Sequence, residues 1–135
     1  MKGSYALVVF LPGEELIQFG RRKHVFKGGY YVYIGSALNG LEQRIRRHLK
    51  EEKKLYWHID YLLVKGLVVD IFYKEGDERE ECILAGFLSS NLQGVKGFGC
   101  SDCRCRSHLF YGSKRDILSL LEEMGMKRFH INANT

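Results

Sequence analysis

Two hydrophobic periods alternate along the chain, and the switches between them mark its elements. Residues 4–10 (SYALVVF) are almost wholly apolar and run into Leu11-Pro12-Gly13-Glu14, the pattern of a buried strand closed by a turn. Residues 15–19 predict a second strand returning as a hairpin, followed by a basic turn from Arg21 to Lys23. Residues 29–35 (GYYVYIG) predict another strand, because tyrosines and β-branched residues suit a pleated surface. Alternation puts Tyr31 and Tyr33 on one of its faces and Tyr30, Val32 and Ile34 on the other. From 39 to 50 the period lengthens: Leu38, Leu41, Ile45 and Leu49 recur at three and four, which predicts a helix. A second helix is expected over 54–64, closed by Gly66, with a strand over 67–73 (LVVDIFY). Asp77 and Glu80 predict a capping box that opens a helix reaching about Leu92. Residues 93–108 form a Gly- and Cys-rich loop, and Ser113 with Asp116 opens a last helix ending near Gly125. This order implies an α/β fold, a small mixed and mainly antiparallel sheet flanked by helices, with residues 1–135 as a single domain.

Some residues do not fit their own pattern. On the helix over 39–50, Gln43, Arg46, Arg47 and Lys50 lie opposite the apolar stripe, where solvent is expected. Arg44 and His48, one turn apart, fall on the edge of the stripe. The bland reading is an arginine that snorkels and a histidine that packs. The chemical reading is a pair that grips phosphate, for which a guanidinium offers a bidentate fork. On the helix after Asp77, Glu81 falls inside the stripe of Leu84, Ala85, Leu88 and Leu92. A carboxylate aimed at a core needs a cation, donors or a metal. The positive end of the helix or a salt bridge to Arg44 would answer that need. So would a hard cation, Mg²⁺ or Mn²⁺, one ion held with much of its water shell. The three tyrosines of GYYVYIG, taken alone, read as packing.

Charge narrows the partners. The net charge is +5 with a pI near 9.0, and Arg44, Arg46, Arg47, Lys50, Lys53 and Lys54 crowd into one stretch, with Arg21, Arg22 and Lys23 in another. Nucleic acid is the expected polyanion. No apolar stretch approaches the ~20 residues of a membrane span, and no signal peptide precedes residue 12, so a cytoplasmic location with reduced thiols and no membrane partner is expected. The loop carries Cys100, Cys103, Cys105 and His108, residue types that bind zinc. They form one cluster where structural sites use two separated knuckles. Reduced thiols in a packed loop are therefore the expectation, with zinc as the lesser alternative. Arg104 and Arg106 on the same loop are candidate nucleic-acid contacts.

Gly3-Ser4-Tyr5, Tyr33-Ile34-Gly35-Ser36-Ala37 and LEQRIRRHL at 41–49 together resemble the GIY-YIG endonuclease pattern. That pattern joins a tyrosine on a first strand, a Y-[IV]-G on a neighbouring strand, an R-x-x-x-H helix and a later helical glutamate. By this resemblance Tyr5 and Tyr33 are the two tyrosines, Arg44 the catalytic arginine, His48 the histidine one turn on, and Glu81 the ligand of the single Mg²⁺ or Mn²⁺. WHIDYLL at 57–63 and GFGCSDCRCRSHLF at 97–110 are similar to a narrower archaeal and bacterial branch, some of whose members resemble domains fused to endonuclease III-type repair glycosylases. The implied activity is metal-dependent hydrolysis of nucleic-acid phosphodiesters, with DNA the expected substrate and RNA the open alternative, and with DNA repair as a setting and a repair protein as a partner that the same resemblance suggests. Tyr5, or a water it orients, would take the proton from the attacking water, with Arg44 and the metal favouring the phenolate, and Arg44 would offset charge on the transition state. Tyr33, His48 and His58 would position phosphate or nucleophile, while Arg46, Arg47, Lys50, Arg104 and Arg106 would bind the nucleic acid. His58 and Asp60 also admit a plainer reading, a hydrogen-bonded pair at a helix start. Two departures stand out: Ser4 where the family often has isoleucine, and a longer gap before Y-I-G that implies an extra hairpin within 11–28. The alternative function is a module on the same fold that grips nucleic acid or a repair enzyme without cutting.

Overall fold

The computed structural model describes residues 1–100 and 105–130. In chain order the elements are β1 (Gly3–Leu11), β2 (Glu15–Phe19), β3 (Arg22–Phe26), β4 (Gly29–Ala37), α1 (Leu41–Leu49), α2 (His58–Leu63), β5 (Leu67–Glu75), α3 (Glu81–Ser89), β6 (Gln93–Gly94), β7 (Leu109–Gly112), α4 (Lys114–Glu123) and β8 (Lys127–Arg128). The apolar run of β1 is buried almost throughout, as a central strand requires, and pairs antiparallel with β4 on one side and β5 on the other. It sits inside a six-stranded sheet of order β6-β7-β4-β1-β5-β8. The fold is thus mixed α/β, with a mainly antiparallel sheet flanked by helices.

The period of two along β1 and β4 splits the core into layers. Tyr5, Leu7, Val9, Tyr31 and Tyr33 face α1 and α2, meeting Leu41, Ile45, Ile59 and Leu62. Ala6, Val8, Val32 and Ile34 face α3 and α4, meeting Leu84, Ala85, Leu88, Ile117 and Leu121. The tyrosine faces agree with the alternation read from the sequence.

Several expectations change. The strand over 15–19 forms, but it pairs with β3 in a separate two-stranded sheet instead of returning along β1. The link is the tight Gly20-Arg21 step, with Gly20 at φ 58° and no positive φ at Arg21. That is the Gly-first loop that hairpin twist favours, and it makes Arg22 and Lys23 strand residues rather than a turn. The second helix is only His58–Leu63. The capping box at Asp77 and Glu80 does not form: α3 starts at Glu81, and Glu80 at its N-cap makes no side-chain cap bond. At α4 the expected cap holds, with Ser113 Oγ accepting from the Asp116 N–H at 3.0 Å. The short strands β6, β7 and β8 were not foreseen. No described helix is long and apolar enough to cross a membrane.

Candidate active site

β7 pairs with β4 only from Tyr30 to Tyr33, and one further bond joins the Ile34 N–H to the His108 carbonyl at 3.0 Å. Past that point the end of β4 keeps β1 as its paired strand. Around this end two helices from opposite faces of the sheet come together, α1 bringing Arg44 and α3 bringing Glu81. The result is a cavity of about 310 Å³ lined by Tyr5, Tyr33, Ser36, Arg44, Glu81 and His108, among others. The misfit residues of the helical patterns, Arg44 and Glu81, and the paired-strand tyrosines therefore share one wall.

Tyr5 is held over β4 by a missing side chain. Gly35 is its register partner, and a Cβ on Gly35 would stand 2.6 Å from both Cζ and the hydroxyl of Tyr5. The glycine of Y-I-G is thus the floor on which the Tyr5 ring lies. Replacing Gly35 with Ala should push the ring off this floor, lowering the melting temperature and any activity that needs the Tyr5 hydroxyl. Thermal melts, with activity compared against Tyr5→Phe, check this. A Gly35→Ala protein indistinguishable from wild type would remove the argument.

The Tyr5 hydroxyl meets His48 Nε2 at 2.7 Å. Burial pushes the Tyr5 phenol well above its ordinary value, with Arg44 opposing only in part. Burial also pulls His48 down to about 3, against the nearby Asp60 carboxylate. Both groups are neutral near pH 7. The tautomer follows by assignment: with the proton on Nδ1, which faces Asp60 Oδ1 at 4.0 Å, Nε2 accepts from the Tyr5 O–H. Asp60 is fully buried. Its burial raises its pKa, but the hydrogen bonds from Arg47 and from the backbone N–H groups of Tyr56 and Trp57 outweigh this and hold it below the usual carboxylate value. Arg47 donates through Nη1 and Nη2 at 3.0 Å each, and the two backbone groups at 2.8 and 2.9 Å. Tyr5, His48 and Asp60 lie in line from the cavity into the core, the first step a hydrogen bond and the second, at 4.0 Å from His48 Nδ1, outside hydrogen-bond distance.

Arg44 lies 4.4 Å above the Trp57 ring and donates to the Ser36 carbonyl at 3.2 Å, which fixes its guanidinium beside the cavity. Tyr33 is nearly buried, and burial raises its phenol far above the ordinary value, with Tyr5 adding to the effect. The Glu81 carboxylate accepts from the Ser36 hydroxyl and lies 4.0 Å from the Arg79 guanidinium, its side chain 16% exposed. A single hard oxygen donor, little exposed yet lining a cavity with room for water, fits a largely hydrated Mg²⁺ or Mn²⁺.

The other sequence candidates separate. His58 does not line this cavity. It lines a larger neighbour of about 880 Å³ with Arg22, Lys96 and Arg106, and its Nδ1 accepts from the Gly99 N–H at 2.9 Å. It is not paired with Asp60. Arg46 and Lys50 are exposed, as expected of an outer face. Arg47 is not on an open face: it chelates Asp60 and stacks 4.3 Å above Trp57, because the segment before α2 wraps over that side of α1. Arg106 is exposed at the larger cavity, and Arg104 lies outside the described residues. A group that could hold a metal ion does exist, but it is Cys82, Cys105 and His108, with Cys82 where the sequence suggested Cys100; Cys103 lies outside the described residues. Sequence reasoning missed Ser36 as a Glu81 partner, although it stands in the quoted Y-I-G-S-A run, and Asp60 as the anchor of Arg47.

A family profile described as "Domain of unknown function DUF123" matches residues 4–129, and the chain belongs to that family. No curated protein and no solved structure matches the chain.

Proposed function

We propose that this family member is a GIY-YIG-type endonuclease that hydrolyses nucleic-acid phosphodiesters, DNA in the first place, with one Mg²⁺ or Mn²⁺. What carries the reading is that Tyr5, Tyr33, Arg44 and Glu81, drawn from different elements and from both faces of the sheet, line one cavity. Glu81 would hold the cation, which when bound would neutralise charge on the phosphate and its leaving oxygen. Arg44, already clamped by Trp57 and Ser36, would face the charge that builds on the phosphoryl oxygens. Tyr5 would accept the proton of the attacking water. A buried phenol is a poor base, so Arg44 and the bound cation would have to favour its phenolate, while the 2.7 Å contact to the neutral His48 Nε2 orients the hydroxyl. Tyr33 would orient the phosphate. His58, at the neighbouring cavity with Arg22, Lys96 and Arg106, is better suited to contacting the nucleic-acid strand than the scissile group. A role in repair, and a repair protein as partner, rest on the family resemblance.

The test is incubation with plasmid, branched DNA, single strands and structured RNA, each with Mg²⁺, with Mn²⁺ and with chelator. Metal-dependent cleavage abolished by Tyr5→Phe and Arg44→Ala is the expected result. Binding without cleavage on every substrate would make the protein a nucleic-acid-binding module instead.

The outer basic face gives a separate prediction. Replacing Arg46 and Lys50 with Ala should weaken binding and make the slope of log affinity against log salt shallower by about 1.8, at about 0.9 per lost phosphate contact. Turnover at saturating substrate should change little. Arg47 is left intact, since it anchors Asp60. An unchanged salt slope would place the nucleic acid elsewhere.

A further inference from the structure

We propose that Cys82, Cys105 and His108 form a thiolate-rich zinc site distinct from the Glu81 position. The ligand atoms, the sulfurs of Cys82 and Cys105 and a ring nitrogen of His108, all lie within 4.8 Å of one another. Cys82 Sγ and His108 Nε2 are 3.8 Å apart. Bond lengths of about 2.3 Å to sulfur and about 2.0 Å to nitrogen at a tetrahedral angle put such a pair about 3.5 Å apart, so little movement would be needed to close the site.

The ligands come from three places in the fold. Cys82 is on the first turn of α3, Cys105 is on the loop before β7, and His108 directly precedes β7. The His108 backbone is tied on both sides, its N–H donating to the Phe98 carbonyl at 2.8 Å and its carbonyl accepting from Ile34. The imidazole is thus presented from a fixed base, buried, while Cys82 stands at the surface and Cys105 between. Two thiolates with one imidazole make a borderline-soft set that selects zinc over Mg²⁺ or Mn²⁺, whereas the lone carboxylate of Glu81 has the opposite preference. Three protein ligands leave one coordination position for a further donor.

The position of the site gives it a purpose. Glu81 and Cys82 are consecutive, and Cys82, Glu81 and His108 line the same cavity. The N-cap of α3 makes no side-chain hydrogen bond, so the start of this helix lacks the usual fixing. Zinc would pin it to the β7 loop and with it hold the Glu81 backbone against β4. The site stands on its own geometry and does not require that the cavity cleave anything.

The full chain, reduced and stripped of metal, should be titrated with Co²⁺ and then with Zn²⁺. The expected result is one equivalent of Co²⁺ with the absorption of a tetrahedral thiolate complex, displaced by Zn²⁺. Cys82→Ser and Cys105→Ser should each weaken zinc binding by at least about 100-fold, while Cys100→Ser and Glu81→Gln should bind as wild type. Circular dichroism would accompany each variant. Should Cys82→Ser fail to fold, Cys82→Asp, which keeps a weaker ligand, takes its place and should bind Co²⁺ with less thiolate absorption. A folded wild-type chain that takes up no stoichiometric metal overturns the proposal. So does a Cys82 or Cys105 variant with unchanged affinity, or a Cys82–Cys105 disulfide in the protein as isolated under reducing conditions.

Discussion

Changing Glu81 to Gln should lower metal-dependent cleavage by about a thousandfold or more, the scale on which removal of a charge-stabilising group acts, while leaving the protein folded. The amide keeps the size of the side chain and can still accept from the Ser36 hydroxyl, so the local hydrogen bond survives. What is lost is the negative charge that would hold the cation. The stability cost should be small, within about 1 kcal/mol, because the one cation within 4.0 Å among the described residues is Arg79, and that side chain is 73% exposed and well solvated. This separates the metal-ligand role from a structural one. Were Glu81 the buried counter-ion of Arg44, its neutralisation would cost about 3–5 kcal/mol. The measurements are single-turnover cleavage with Mg²⁺ and Mn²⁺, affinity for uncleaved DNA in chelator, and thermal melts of both proteins. Retained affinity, a near-native melt and lost cleavage are expected together. A Gln variant that cleaves at the wild-type rate would end the assignment of Glu81.

How much of this could be seen in the sequence depends on the range of the interaction. β1, β4, α1 and β5 were legible because each carries its own period over a full element. Arg44 and Glu81 were legible for the opposite reason, as polar residues at positions where period demanded apolar ones. The two residues that complete their surroundings were not legible in those roles. Ser36 looks like any small strand residue until Glu81 arrives from the far face of the sheet. Asp60 was legible as a helix-start residue, and it does accept from the Tyr56 and Trp57 N–H groups, but nothing local signals that Arg47 will chelate it. Arg47 shows the limit of the helical wheel: opposite to the core stripe is not the same as open to solvent when another segment folds over that side. β3 was hidden because a strand of a small exposed hairpin can be as basic as a turn. Cys82 was not legible as a ligand because metal-site patterns in sequence are patterns of spacing, and this residue joins Cys105 and His108 from a separate helix.

Asp60→Ala should be the most destabilising single change in the site, costing about 3–5 kcal/mol, or about 10–20 °C in melting temperature for a chain of this size. The carboxylate is fully buried and accepts four hydrogen bonds, two from Arg47 and one each from the Tyr56 and Trp57 backbone. Alanine leaves all these donors without their acceptor, and the Arg47 side chain is only 27% exposed to the water that would have to replace it. Asp60→Asn keeps one acceptor oxygen and should lose less. The same unit governs acid stability. His48 is packed among Tyr5, Tyr33, Trp57, Asp60 and Lys53, with Arg44 and Arg47 close, and its folded pKa of about 3 lies below the free value of 6.5. Between those values the unfolded chain binds a proton that the folded chain refuses, so stability is lost as pH falls from 6.5 towards 3, by up to about 1.4 kcal/mol per pH unit for one proton. Asp60, held below its free value of 3.8, acts in the same direction but only as pH falls through its own lower range. Melts from pH 7 to pH 3 should therefore show wild type losing stability in two overlapping steps. His48→Gln should lose the upper step. Asp60→Ala should keep the upper step, since burial, and after it the cations Lys53, Arg47 and Arg44, still oppose a charged His48, and should lose the lower one. An Asp60→Ala protein that melts within a few degrees of wild type, with an unchanged acid profile, would show that the Tyr5–His48–Asp60 line does not hold this side of the cavity together.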